Sequence, residues 1–300
     1  MKFRILFLLT IGLLAPNVAS VAQTVERVPR VAVLDFGKSP FGKLAADDLH
    51  SALASRKELT VLDREQSRAA ALGLGYTGSL NMTIAEARDL GSAIGCDYFV
   101  TGEAETLRRS ASDRPIYYEA YASIFLVSAR SGRLLAWQRP SIQASTSETA
   151  SQPLRAELAE PAARAWLIQG VVQAMQAERR ERARAVETEI PVIEEAPDDD
   201  TPAAKGVQTP RPFRRLRPSY PASAANAEAE ATIDALADID DQGEVGRVQI
   251  VRWGGFGLDD AVEATVHQLH FYPAMRNGKP VPMRVLLRYN FRKPAPEPKK

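Results

Sequence analysis

The C-terminal part of the chain carries the clearest pattern of apolar and polar positions. Residues 283–291 alternate between apolar and polar side chains, and residues 231–239 do the same. This period of two is typical of strands with one buried face. Residues 245–253 are predicted to form the partner strand, and residues 258–270 repeat apolar positions at helical spacing. With a short helix at 221–229, the predicted order is helix, strand, strand, helix, strand.

The N-terminal part alternates short apolar runs with helical patterns. Strands are predicted at 31–36, 59–62 and 98–104, and helices at 42–53, 64–72 and 83–94. A hairpin of residues 117–128 and 133–144 follows, and then one helix at 154–184. Strands that alternate with helices before a hairpin favour a mixed α/β sheet. The predicted fold class is therefore α/β for this part and α+β for the C-terminal part.

Composition shifts divide the chain into segments. We predict a signal peptide at 1–22, an α/β domain at 28–178, a Pro-rich charged linker at 179–217, a C-terminal domain at 218–293 and a disordered tail at 294–300. The prolines of the linker are Pro191, Pro197, Pro202, Pro210 and Pro212. Because proline prevents regular helix or central strand, we expect the linker to be extended and solvated.

Composition narrows the functional classes. The 300 residues are 45% hydrophobic and 25% charged, with a net charge of +1. These values are typical of globular domains and predict no general attraction to nucleic acid. Cys96 is the single cysteine, which excludes disulfides within the chain and metal sites with several cysteines. We interpret Cys96 as a small buried hydrophobe.

The N-terminus has the pattern of a secretory signal. Lys2 and Arg4 precede an apolar run at 5–15, and small residues stand before Gln23. The run is too short for a bilayer, which needs about 20 residues. We expect cleavage before Gln23 and a periplasmic protein. The alternative is an uncleaved anchor in the inner membrane.

No group of residues has the pattern of a catalytic centre. His267 and His270 are three apart on a predicted helix, but two histidines alone rarely hold an ion. Asp35 and Asp63 end predicted strands without a base or nucleophile nearby in the pattern, and we interpret them as caps or turn formers. Trp253 is interpreted as core or rim packing, with an exposed binding role as the alternative. We expect no catalytic residue, no cofactor and no metal site, and hence no enzyme.

An ordered set of short motifs runs through the C-terminal domain. They are Pro218, Tyr220 and Pro221; Asp240 and Gly243; Leu258, Asp259 and Ala261; Phe271, Pro273 and Ala274; Asn277 and Gly278; and Phe291. In this order and spacing they resemble the TonB C-terminal domain family. The resemblance implies a small protein-binding domain that holds outer-membrane transporters from the periplasmic side.

The resemblance also implies where a partner binds. In the family, an extended peptide of the transporter adds as a strand beside the last strand of the domain, whose edge offers unpaired N–H and C=O groups. On this sequence that edge is Arg284, Val285, Leu286, Leu287, Arg288, Tyr289, Asn290 and Phe291. The family also uses the segment before the Tyr-Pro pair. That segment corresponds here to Arg214, Arg215 and Arg217, followed by Tyr220 and Pro221. The alternative is that these arginines only keep a linker solvated.

The chain departs from the family pattern at two places. Family members often carry a glycine before the first strand, where this chain has Ala229-Glu230-Ala231. Energy transducers of the family have a membrane anchor with a histidine, and residues 1–23 contain none. The resemblance therefore favours partner binding over force transmission.

The N-terminal domain resembles, more loosely, the curli-secretion (CsgG-like) and TolB amino-terminal α/β domains. The resemblance is carried by residues 31–36, Val61-Leu62-Asp63-Arg64, residues 87–91, Gly95 and residues 97–103. It implies a role in envelope assembly and protein contacts. The secretion channels of that group are lipoproteins, and the residue directly after the predicted signal peptide is Gln23 rather than a cysteine that could be lipidated, so we expect no pore.

These patterns predict a periplasmic adaptor that binds outer-membrane transporter peptides or other envelope proteins by strand addition. One alternative is an inner-membrane-anchored energy transducer for outer-membrane transport. Another is a cell-wall or envelope-assembly factor, for which peptidoglycan is a candidate partner. A homodimer through the C-terminal domain is also a candidate, and contact with a membrane is expected only if the signal segment is retained.

Overall fold

The structure is a computed structural model that describes residues 27–111, 114–187, 193–197 and 205–293. The predicted signal peptide at 1–22 and the predicted tail at 294–300 lie outside these residues. In the described part of the chain, no helix is both long and apolar enough to cross a membrane.

The described residues of the N-terminal region form six strands and five helices. They are β1 (Arg30–Phe36), α1 (Pro40–Ala54), β2 (Thr60–Val61), α2 (Arg64–Gly73), α3 (Ile84–Ile94), β3 (Tyr98–Ala111), β4 (Arg114–Ser128), β5 (Leu134–Gln138), β6 (Ser141–Ala144), α4 (Ser147–Ala159) and α5 (Pro161–Glu187). The strands form one sheet in the order β2-β1-β3-β4-β5, and β6 also pairs with β4. Strand β1 is parallel to β2 and β3, and the other pairs are antiparallel. The predicted mixed α/β sheet is confirmed.

Two helix starts in this region follow from their capping residues. Asp63 precedes α2 and accepts a hydrogen bond from the Gln66 N–H at 2.9 Å, which confirms its interpretation as a cap. Thr83 and Glu86 form a capping box at the start of α3. Gly95 ends α3 with a left-handed backbone at φ 73°, a conformation that glycine adopts without strain.

The structure corrects two predicted boundaries. The single helix predicted at 154–184 is two helices, α4 and α5, separated at Glu160 because Pro161 starts a new helix. The strand predicted at 133–144 is also two strands, β5 and β6, which are interrupted at Arg139 and Pro140. Proline lacks the N–H that a continuous ladder needs.

Within the part that the structure describes, the C-terminal region has eight strands and two helices. They are β7 (Val207–Gln208), β8 (Arg211–Pro212), α6 (Ala222–Ala227), β9 (Ala231–Ile239), β10 (Val245–Arg252), α7 (Leu258–Val266), β11 (Phe271–Tyr272), β12 (Ala274–Arg276), β13 (Lys279–Val281) and β14 (Met283–Phe291). The predicted order helix, strand, strand, helix, strand is present as α6, β9, β10, α7 and β14. Strands β9 and β14 have the predicted bounds, whereas α7 ends at Val266 rather than His270.

Parts of the predicted linker belong to regular structure. Helix α5 continues to Glu187, past the predicted start of the linker at residue 179. Strands β7 and β8 pair with β12 and β11, and Pro210 between them is buried. These backbone pairs with the C-terminal domain are the physical reason why the segment differs from a fully solvated chain.

Both faces of the N-terminal sheet are covered. Helices α1, α4 and α5 pack on one face, where Phe36, Leu49 and Leu154 are fully buried. On the opposite face, Phe99 and Phe125 of the sheet lie in one hydrophobic cluster with Ile233 and Leu258 of the C-terminal domain, and with helices α2 and α3. The two domains therefore share a core, where the sequence predicted only a tether between them.

Polar contacts fix the relative position of the two domains. Trp253 is 2% exposed, and its indole N–H donates to the Gly132 carbonyl at 3.0 Å. Its ring stacks on Phe125 with the centroids 6.2 Å apart. The Asn81 side chain accepts from the Thr232 N–H at 3.0 Å and donates to the Trp253 carbonyl at 2.7 Å. The interpretation of Trp253 as packing is confirmed.

Candidate functional site

The last strand, β14, lies at an edge of the C-terminal sheet. The strand order is β10-β9-β14, and β14 pairs with β9 along its full length, from Met283 opposite Ile239 to Phe291 opposite Ala231. Strand β9 is thus central, and one side of β14 has no neighbouring strand among the elements that the structure describes. We call this side the outer edge of β14.

The backbone of the outer edge offers hydrogen-bonding groups at every second residue. The N–H and C=O of Arg284 point away from β9, since they bond to a segment on the far side. By the two-residue period of a strand, the backbone groups of Leu286, Arg288 and Asn290 point the same way. In the described residues, these three have no backbone partner. An edge of this kind can accept an incoming strand.

The side chains of β14 divide between a core face and a solvent face. Met283, Val285 and Phe291 are buried, and Leu287 and Tyr289 are half-buried against the shared core. Arg284, Leu286, Arg288 and Asn290 lie on the other face, where Leu286 is 54% exposed. The alternation predicted from the sequence is confirmed. Because one face of β14 packs against the core, the backbone of the outer edge is held in place.

The two arginines of β14 are bound to aspartates of β9. Arg284 lies directly opposite Asp238 and donates to both its carboxylate oxygens, at 2.5 and 3.0 Å. Arg288 lies opposite Asp234 and donates to both of its oxygens, at 2.7 and 3.0 Å. Fork-shaped pairs of this kind are stronger than single hydrogen bonds. Both arginines therefore hold the sheet together as well as lining the outer edge.

Asp234 accepts hydrogen bonds from two arginines, Arg288 and Arg252. It is 4% exposed, and the bond from Arg252 is 3.3 Å long. Burial raises the pKa of Asp234. The hydrogen bonds and charges of Arg288 and Arg252 lower this pKa by more than burial raises it, so that the net pKa lies below its usual range. The carboxylate is ionised at neutral pH and compensates the charge of both arginines.

The arginines of the predicted basic segment differ from those of β14 in their surroundings. Arg214, Arg215 and Arg217 are exposed. Among the described residues, no carboxylate pairs with any of the three. They are held near the domain because β8 pairs with β11 just before them. These guanidinium groups are open to a partner, which distinguishes them from Arg284 and Arg288.

Tyr220 and Pro221 have structural roles in the domain. The Tyr220 hydroxyl donates to the Ala229 carbonyl at 2.8 Å, and its ring lies 6.2 Å from that of Phe291. Pro221 stands at the N-cap of α6, one residue before the helix begins. Both residues fix the chain where it enters the domain, and their role in partner binding stays a prediction.

A short part of the predicted linker lies on the outer edge of β14. The Arg284 N–H donates to the Glu194 carbonyl at 2.8 Å, and the Ala196 N–H donates to the Arg284 carbonyl at 2.8 Å. These two bonds form a parallel bridge between Glu195 and Arg284. The Glu194 carboxylate also pairs with Arg276 at 2.8 Å. The sequence pattern gave no indication of this contact.

Phe213 and Tyr272 form an exposed aromatic pair that the sequence did not predict. The rings of Phe213 and Tyr272 lie 4.3 Å apart between centroids, and the residues are 58% and 63% exposed. The Phe213 N–H donates to the His270 carbonyl at 2.8 Å, in line with the pairing of β8 and β11. Phe213 stands in a Pro-rich stretch without periodicity, so only the strand pairing brings it to Tyr272.

The comparison with family models identifies the C-terminal domain. Residues 217–292 match the family described as the Gram-negative bacterial TonB protein C-terminal. The resemblance predicted from the motifs of this region is therefore confirmed. The match does not extend to the N-terminal domain, whose resemblance to CsgG-like domains stays a prediction. The comparison with curated proteins finds no match.

Several solved structures are similar to parts of the chain. The LpoB protein of E. coli is 17% identical over 40% of this chain and 59% of that chain, less than two thirds of its length, with a TM-score of 0.30. The TonB C-terminal domain of Pseudomonas aeruginosa is 22% identical over 30% of this chain and 90% of that one, with a TM-score of 0.25. A lipoprotein of Neisseria meningitidis, GNA1162, is 16% identical over 50% of this chain and 99% of that one, with a TM-score of 0.31. Because all three TM-scores are low, we base no conclusion on these likenesses.

Proposed function

We propose that the protein is a non-catalytic adaptor of the cell envelope. Its C-terminal domain captures an extended peptide of an outer-membrane transporter, or of another envelope protein, along the outer edge of β14. The observation that carries this proposal is the row of backbone groups at Leu286, Arg288 and Asn290, which lack a partner in the described residues. An added strand satisfies these groups. The family match of residues 217–292 supports the same role.

The packing around β14 favours binding without rearrangement of the strand itself. The strand is held on one side by nine residue pairs with β9, from Met283 to Phe291, and its inner face lies on the shared core. A preformed edge loses little conformational freedom when a peptide adds to it. The exposed Leu286 offers an apolar contact to a side chain of the incoming strand. The main chain then supplies affinity, and the residues near Leu286 supply selectivity.

A titration of the full-length exported protein tests this function. Synthetic peptides from the periplasmic plug segments of outer-membrane transporters are added, and backbone chemical shifts are recorded. We expect the shifts of Arg284 to Phe291 to change with at least one peptide. The matched control is the same peptide with alternate N-methylated residues, which cannot donate to the edge. If no plug peptide changes the shifts of β14, the proposal is wrong.

The location of the protein is a separate part of the proposal. We propose that residues 1–22 are removed before Gln23 and that the mature chain is periplasmic. Intact mass of the protein from its own envelope fraction tests this. Retention of residues 1–22 in the inner membrane would instead support the energy-transducer alternative. Sedimentation with purified peptidoglycan, with a peptide-blocked sample as the control, tests the cell-wall alternative.

A further inference from the structure

We propose that residues 194–196 are a built-in occupant of the outer edge of β14, and that they show which partner the edge fits. That partner is an acidic extended segment that runs parallel to β14 from its Arg284 end. This inference rests on the proposed function, since it names the chemistry and direction of the captured strand. It adds that the partner must displace part of the chain itself.

The backbone contacts define the direction. Arg284 donates its N–H to the Glu194 carbonyl and accepts from the Ala196 N–H, both at 2.8 Å. Bonds from one residue to the two neighbours of its opposite residue are the pattern of a parallel ladder, and Glu195 is that opposite residue. A strand that continues this ladder next meets Leu286 and then Arg288. The outer edge therefore accepts a parallel strand at Arg284.

The side chains define the chemistry. The Glu194 carboxylate binds the Arg276 guanidinium at 2.8 Å, and the small Ala196 side chain packs against the shared core. The charge of Glu195 acts on the opposite Arg284 guanidinium, so two acidic residues of the segment lie beside arginines. An acidic residue, followed two positions later by a small apolar residue, reproduces what the built-in segment offers.

Among the residues whose backbone groups face the outer edge, the built-in segment covers only Arg284. In the described residues, the bonding stops at Ala196, and the Leu286 N–H, which would be the next donor of the ladder, has no backbone partner. Two backbone bonds and one exposed ion pair make a weak contact, because each competes with water. A longer strand that also bonds Leu286, Arg288 and Asn290 can therefore replace the segment.

The test compares Ala196→Pro with Ala196→Gly in the full-length protein. Proline removes the N–H that donates to Arg284, whereas glycine keeps it and serves as the matched control. Hydrogen exchange of the Arg284 amide reports occupancy without any partner. We expect about tenfold faster exchange in the proline variant, because the segment leaves the edge. Equal exchange in the two variants would overturn the inference.

The second measurement uses a synthetic peptide that copies residues 191–200, and a charge-reversed copy with lysine at each acidic position. We expect the acidic peptide to bind the proline variant about three- to tenfold more tightly than the glycine variant, since no internal competitor remains. Equal binding of the charge-reversed peptide would overturn the acidic partner class. If exchange differs but neither peptide nor any plug peptide binds, peptide capture itself fails, while the internal contact stands.

Discussion

The arginines of β14 and the arginines before Tyr220 carry the same charge in different surroundings. Arg284 and Arg288 lie opposite aspartates of a neighbouring strand and bind them with two bonds each. Arg214, Arg215 and Arg217 are exposed on an irregular segment without such partners in the described residues. The difference shows that a basic residue in a predicted interface can hold the fold instead. Which role applies depends on what the register places opposite it.

The largest expected effect is at the aspartate beneath the strand arginines. We expect Asp234→Ala to lower the free energy of unfolding by about 2–3 kcal/mol, since it leaves Arg288 without its carboxylate and removes the nearer of the two carboxylates beside Arg252. Urea unfolding at pH 7 measures this loss. Asp241→Ala, which removes an exposed aspartate of the following turn, is the control and should change stability by less than about 0.5 kcal/mol.

The same pair predicts a pH dependence. The pKa of Asp234 is lowered in the folded protein, so its contribution is present above the unfolded pKa of about 4 and is lost as the pH falls below it. The stability gap between the parent protein and Asp234→Ala should therefore shrink between pH 5 and about pH 3. A gap that stays constant over this range would contradict the ion pair.

A smaller loss is expected at the second pair. Asp238→Ala should lower the free energy of unfolding by about 1–2 kcal/mol, because Arg284 keeps the nearby charge of Glu195. The measurement is again urea unfolding, and a double variant with Arg284→Ala gives the coupling of the pair. If the double variant loses the full sum of the single losses, the two side chains do not interact.

A substitution at the outer edge of β14 should change the affinity for a peptide rather than the stability of the domain. Leu286→Pro removes one outward N–H, which an edge strand tolerates, and should weaken peptide binding about tenfold, or about 1.4 kcal/mol. Leu286→Ala keeps the N–H and is the control, with a smaller loss that reports the side chain alone. Calorimetric titration measures both. Equal affinities of the two variants would mean that this N–H takes no part.

The smallest effect is expected at the basic segment. Replacing Arg214, Arg215 and Arg217 together by glutamine should leave the unfolding midpoint unchanged and weaken an acidic peptide about threefold at low salt. The difference should vanish at about 0.5 M salt, where exposed charges are screened. An unchanged affinity at low salt would support the alternative that these arginines only solvate the chain.

Local features of the fold were predictable from the sequence. The alternation in β9 and β14 fixed their bounds, and the Thr83–Glu86 capping box with Gly95 fixed helix α3. Such signals are predictable because each lies within a few residues of chain. The break between α4 and α5 was missed although Pro161 marks it, since a proline inside a helical pattern ends the helix before it.

Contacts between distant segments were not predictable in the same way. The shared core depends on Trp253 and Phe125 meeting across two domains, and an apolar residue in a pattern does not identify its partner. The aspartate–arginine pairs have a signal in the sequence, since Asp234 and Asp238 have the same spacing as Arg284 and Arg288. This signal becomes informative only once the antiparallel register of β9 and β14 is known.

The most direct test of strand capture is residue-resolved hydrogen exchange along β14 with and without a bound peptide. The amides of Leu286, Arg288 and Asn290 should become protected, because their N–H groups face the outer edge. The amides of Val285, Leu287 and Tyr289 already face β9 and should change little. This alternating protection would support capture by strand addition. Protection confined to the basic segment, or spread evenly along β14, would contradict it.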